Sequence, residues 1–101
     1  MLARVVRYEV DPARTDAAVQ AFAEAASEVE QLQGFAGGYV LVDHNDGRTM
    51  TLTLWENSAV LENSERVAGR ARRRAAESVG GSVLSVEQFD VAQELGRDAG
   101  S

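Results

Sequence analysis

A chain of 101 residues carries enough apolar surface for one core and too little to divide between two, so a single domain is expected. Its 45% hydrophobic and 26% charged residues are ordinary for a water-exposed globular protein. No run approaches the roughly 20 apolar residues of a membrane span. A net charge of −6 argues against nucleic-acid binding, which depends on cations displacing counterions from phosphate. With no cysteine, disulfides and thiolate chemistry are excluded. The start, MLARVVRYEV, lacks an apolar signal segment with a small-residue cleavage site, and a cytoplasmic protein without membrane partners is expected.

Leu2 to Val10 reads as a strand rich in Val and Tyr, with Leu2, Val6, Tyr8 and Val10 on one parity, Arg4 interrupting them and Arg7 on the other parity. Asp11-Pro12 supplies a helix start, with Asp as N-cap and Pro at the first helical position. The helix is expected to run to Leu32 along a stripe of Val19, Phe22, Ala26, Val29 and Leu32, and to stop at Gly34. Phe35 to His44 and Arg48 to Glu56 read as antiparallel strands joined through the turn residues Asn45, Asp46 and Gly47. Asn57 or Ser58 can cap a second helix over 59–79, with Val60, Val67, Ala71 and Ala75 near helical spacing and a break around Asn63-Ser64. Gly80-Gly81 ends it, and Ser82 to Ala92 is the last strand. Residues 1–93 form the domain and 94–101 a flexible tail.

Strand, helix, strand, strand, helix, strand with right-handed crossovers is the ferredoxin-like arrangement, an α+β fold with both helices on one face of an antiparallel sheet. On the third strand Met50, Leu52 and Leu54 share one face, and Thr49, Thr51, Thr53 and Trp55 the other. Helices cover only one of these, so a twofold homodimer with sheets packed face to face is expected, the threonine face turned toward the helices.

The strings EQLQGFAGGYVLVD, GRTMTLTLWENSAVLENSERV and SVLSVEQFDVA resemble the antibiotic biosynthesis monooxygenase (ABM) family of dimeric α+β barrels, above all in the Gly-Phe after the first helix and the Trp-Glu ending the third strand. The resemblance implies a pocket between sheet and helices in each monomer. It also implies oxygenation of a small aromatic or quinol-like substrate without flavin, metal or haem, so no cofactor is expected. In the family's polyketide oxygenases an Asn stands four residues before the Trp; here that position is Thr51, which offers a hydroxyl. The haem-degrading branch uses an Asn on the first strand and a Trp and a His on the second helix. The aligned positions are Arg7, Ser64 and Arg74, so haem chemistry by those residues is not implied.

The candidate catalytic residues are therefore Trp55 for stacking and hydrogen bonding, Thr51 as a donor, and Arg7, expected on the threonine face, as the group that stabilises an anion. Tyr39, Arg74 and Ser64 are candidate substrate-binding residues, and Tyr8 a second possible phenol donor. Each has a plainer reading. Trp55 serves as core, the threonines as strand formers, Arg7 as partner of Glu56 or Glu87, and the arginines from Arg66 to Arg74 as a solvated face pairing with Glu24, Glu28 and Glu30. His44, the one histidine, is expected to be exposed in its hairpin. No convergent His, Cys and carboxylate set points to a metal. The rival to an enzyme is a non-catalytic dimer binding a small ligand or partner, and an isomerase or decarboxylase on the same barrel is a third reading.

Overall fold

The first strand of the chain becomes an inner strand of the sheet. In a computed structural model, which describes residues 1–96, β1 (Leu2–Glu9) pairs antiparallel with both β3 (Arg48–Trp55) and β4 (Ser82–Asp90). β2 (Phe35–Asp43) pairs with β3, giving the order β2-β3-β1-β4. Two helices, α1 (Thr15–Val29) and α2 (Ser58–Ser78), make the crossovers. The sequence order βαββαβ and the four-stranded antiparallel sheet are the ferredoxin-like fold expected from the sequence. Of the expected tail, residues 97–101 lie outside the described residues.

Local chemistry sets the ends of the elements. The Asp11 carboxylate accepts from the Ala13 amide at 2.9 Å, and Pro12 opens a 3-10 turn, Pro12–Arg14, that delays α1 to Thr15. The helix ends three residues earlier than expected, and Leu32 closes the following turn by accepting from the Phe35 amide. Gly34 sits at φ +83°, and a Cβ there would overlap the Val60 side chain; both conformation and space demand glycine. Its carbonyl accepts from Glu56 N at 2.9 Å, tying the end of α1 to the start of α2. Asn57 caps α2 through the Val60 amide at 3.0 Å.

No break occurs at Asn63-Ser64. Ser64 turns inward, and its hydroxyl donates to the Leu61 carbonyl at 2.6 Å within the helix. Leu61 and Ala68 pack on the Trp55 cluster, and that packing outweighs the weak local propensity. The buried side of α2 runs through Leu61, Ser64, Ala68, Ala71 and Ala75 rather than through Val67, which is exposed.

The core lies between sheet and helices in two parts. Val6, Tyr8 and Val10 meet Ala18 and Phe22 of α1 and Ala75, Ala76 and Val79 near the end of α2. Toward the other end Trp55 meets Val29, Leu61 and Ala68. The register Arg4↔Thr53 and Val6↔Thr51 decides the faces: Leu2, Arg4, Val6 and Tyr8 turn to the helices with Thr49, Thr51, Thr53 and Trp55. Arg7, expected on that face, pairs with Met50 and stands on the other one.

That other face carries no helix. Tyr39 (67% exposed), Leu41, Met50, Leu52, Leu54 and Phe89 (50% exposed) spread over it as a contiguous apolar surface. Among the described residues no helix is long and apolar enough to cross a membrane.

Candidate functional site

Between the sheet and the helices lies a cavity of about 50 Å³. α1 supplies Phe22, Ala25, Ala26 and Val29, α2 supplies Ala68, Ala71 and Arg72, and the sheet supplies Arg4, Val6, Tyr8, Thr51 and Thr53. A larger hollow of about 320 Å³ lies on the open face beside Arg7, Leu41, Met50 and Leu84. Size alone would favour the second, but convergent buried polar groups distinguish the first.

Arg4 is the most constrained of these groups. It is 4% exposed, its Nη2 donates to the Leu61 carbonyl at 2.8 Å, and its Cζ stands 5.5 Å from the centre of the Trp55 ring. Burial lowers its pKa, Glu65 opposes that shift and Arg72 adds to it. An arginine so placed remains a cation. Arg72 reaches in from α2 with its side chain 10% exposed, and its Nη1 donates to Glu65 Oε1 at 3.0 Å. The other carboxylate oxygen of Glu65, Oε2, is buried without a hydrogen-bond partner. Tyr8, 3% exposed, stacks its ring on Phe22 at 4.2 Å. Burial pushes its phenol up, while hydrogen bonding to Thr51 and Arg72 pulls the other way. A cation pair, a phenol and two threonine hydroxyls therefore face one small space.

The residues singled out from the sequence are scattered over the molecule. Thr51 lines the cavity. Trp55 stands behind it, fully buried, with its indole N–H already donated to Thr53 Oγ1 at 3.0 Å and its ring edge-on to Phe35. Arg7, half exposed on the open face, donates from Nε to Glu87 Oε1 at 2.8 Å, one of the pairings foreseen for it. Tyr39 pairs with Leu52 on that same open face, away from the cavity. Arg74 donates to Glu28 at 2.8 Å across the two helices, in a surface hollow outside the cavity. Ser64 borders a different surface hollow with Leu32, Gln33 and Val60. His44, with a side chain 60% exposed, places Nδ1 3.0 Å from Thr15 Oγ1 at the start of α1.

Sequence reasoning passed over Arg4, Arg72 and Glu65. Arg4 shares the parity of Leu2, Val6 and Tyr8. Arg72 follows Ala68 by four residues on the inward stripe that also holds Leu61 and Ala75. Among the described residues no three His, Cys, Asp or Glu side chains gather to hold a metal.

The family model for antibiotic biosynthesis monooxygenases matches residues 1–69. No protein of curated function matches the sequence. Solved structures share the fold at low identity. SnoaB of Streptomyces nogalater, described as a cofactor-independent oxygenase, superposes with a TM-score of 0.73 at 17% identity over 95% of this chain and 97% of its own. A Deinococcus radiodurans protein named for the same monooxygenase family gives 0.76 at 13% identity over 97% and 99%. Rv0793 of Mycobacterium tuberculosis gives 0.71 at 12% over 93% and 97%.

Proposed function

The chain belongs to the antibiotic biosynthesis monooxygenase family, and from that premise we propose a cofactor-independent monooxygenase acting on a small aromatic or quinol-like substrate. The observation that carries the reading is the convergence of Arg4, Tyr8, Thr51 and Arg72 on one cavity between sheet and helices. Its likeness in fold to an oxygenase that needs no cofactor supports the same reading.

In the proposed reaction an electron-rich substrate anion passes an electron to dioxygen, and the two radicals combine at a ring carbon as a hydroperoxide. Loss of water leaves a carbonyl. One oxygen atom enters the product, and the other departs as water with the two hydrogens of the oxidised carbon. The protein holds the substrate by its oxygen end and stabilises the anion before and during electron transfer. Arg4 and Arg72 take the role that the sequence suggested for Arg7. Tyr8 and Thr51 donate to substrate oxygens, and Trp55 fixes Arg4 from behind. The unit is a cytoplasmic homodimer joined through the open sheet faces, which supplies a cover for Tyr39, Leu41 and Phe89.

Air oxidation of a panel of anthrones and quinols, followed by quinone absorbance and oxygen uptake, tests the activity. Turnover is expected to fall about a hundredfold in Tyr8→Phe combined with Arg72→Gln, the range for loss of positioned donors, while the dimer persists. Absence of oxygen uptake across the panel overturns the reading. A non-catalytic ligand-binding dimer then gains, and the full burial of Trp55 with its N–H already bonded favours that second reading. Product formed without oxygen consumption would instead mark an isomerase or decarboxylase. Sedimentation at one chain's mass, 10.9 kDa, would remove the dimer.

A further inference from the structure

The polar lining of the cavity, Arg4, Tyr8, Thr51, Thr53 and Arg72, contains two cations, three hydroxyls and no carboxylate. α1 adds only Phe22, Ala25, Ala26 and Val29. The carboxylate that bonds Arg72 and acts on Arg4 through its charge stands outside. Glu65 belongs to a groove between α2 and β4 of about 350 Å³, and Arg4 borders that groove as well as the cavity. Arg4 thus stands between the two spaces, and Glu65 lines only the outer one. Two positive charges and one negative leave the assembly at +1.

We infer that Glu65, from outside the cavity, is a positioning residue that sets how strongly the proposed anion site prefers the charged form of its ligand, by countering Arg4 and Arg72 and leaving the site at one net positive charge. This rests on the proposed function for the reaction, but the anion site can be tested without turnover.

Three observations support the assignment. Arg4 is held by the Leu61 carbonyl and the Trp55 ring, so its position does not depend on Glu65. Glu65 is incompletely satisfied: Oε1 holds Arg72 while Oε2 is buried without a partner, and the side chain is 46% exposed, free to lean toward water as a ligand's charge arrives. Gly69 makes room for this carboxylate, since a Cβ there would come within 3.1 Å of Oε2. Glycine inside a helix lowers its stability, and here the missing side chain spares Glu65 a tight contact. A cavity of about 50 Å³ accommodates a charged oxygen and little more, so recognition is of the anionic end rather than of the ring.

4-Nitrophenol is the probe, because its ionised form absorbs separately and it does not react with dioxygen. At a pH about one unit below its midpoint, excess protein is expected to raise the phenolate absorbance, a shift of about one pKa unit corresponding to a tenfold preference for the anion. Glu65→Gln is expected to strengthen the preference about tenfold and Arg72→Gln to abolish it. Opposite signs in two neighbouring variants do not arise from loss of folding, which circular dichroism checks separately. Unchanged absorbance with the unmodified protein, binding of neutral 4-nitroanisole as tight as that of nitrophenolate, or weakening by both variants overturns the inference. Anion binding without oxygen uptake on the quinol panel leaves this site standing and removes the monooxygenase. Quinol turnover without nitrophenolate binding does the reverse.

Discussion

Arg4 and Arg7 stand three residues apart on one strand, and the sheet sends them to opposite faces. Arg4 goes under the helices, where it is 4% exposed, bound to a backbone carbonyl and set over an indole. Arg7 goes to the open side, where half its side chain meets solvent and Glu87 pairs with it. Water screens the second pair and scarcely reaches the first, so one residue type serves as a fixed interior cation and as an ordinary surface ion-pair member. The difference extends to the two faces. The helix side is small-featured and polar at its centre, whereas the open side is apolar and carries no helix.

The largest effect should come from the helix side. Trp55→Ala is expected to destabilise the fold by about 3–5 kcal/mol, as for a fully buried large side chain. Phe89→Ala on the open face should leave monomer stability within about 1 kcal/mol, its main effect being to weaken the proposed dimer. Denaturant unfolding at low protein concentration, with sedimentation beside it, separates the two. Equal destabilisation would erase the contrast between the faces.

A middle-sized effect is expected from the arginines themselves. Arg4→Met keeps the apolar bulk but removes a charge-assisted hydrogen bond to the Leu61 carbonyl, which keeps the Ser64 hydroxyl, at about 1.5–3 kcal/mol. Arg7→Met should change stability by less than about 1 kcal/mol. Equivalent losses by the same unfolding measurement would mean that burial does not separate them.

The smallest effect concerns pH. The Arg7 hydrogen bond, then that of Ser85, holds the Glu87 carboxyl below its ordinary value of 4.5. A carboxylate lowered in the folded state contributes stability that is complete above its unfolded pKa and is lost as pH falls through the folded one. The contribution should therefore fade only below about pH 4.5. In Arg7→Met the NMR-observed titration of Glu87 should move upward, and a titration that stays put would mean that the pair does not persist in solution.

The order of elements was readable from period and punctuation. So were the two faces of β3, because alternation there is strict: threonine on one side, leucine and methionine on the other. β1 was harder, since Ala3 and Val5 are as apolar as Leu2 and Val6, and nothing within the strand says which set meets the helices. Only pairing with β3 decides it, and that decision carried Arg7 out and Arg4 in. Arg72 was hidden by company. Its neighbours Arg70, Arg73 and Arg74 face solvent, and a run of arginines reads as one surface, although a helix turns each by about 100° from the last. Glu65 carried no local mark, because its role comes from two arginines on separate elements.

The inner position of β1 also governs how the molecule can be assembled in time. Leu2 pairs with Trp55 on one side and with Asp90 on the other, so the first strand cannot complete its ladders until the last has been made. During synthesis one edge of β1 must wait unpaired until β4 is made, and closing that ladder brings together residues far apart in sequence. The strand that fixes the site is thus made before both of the strands that hold it in place.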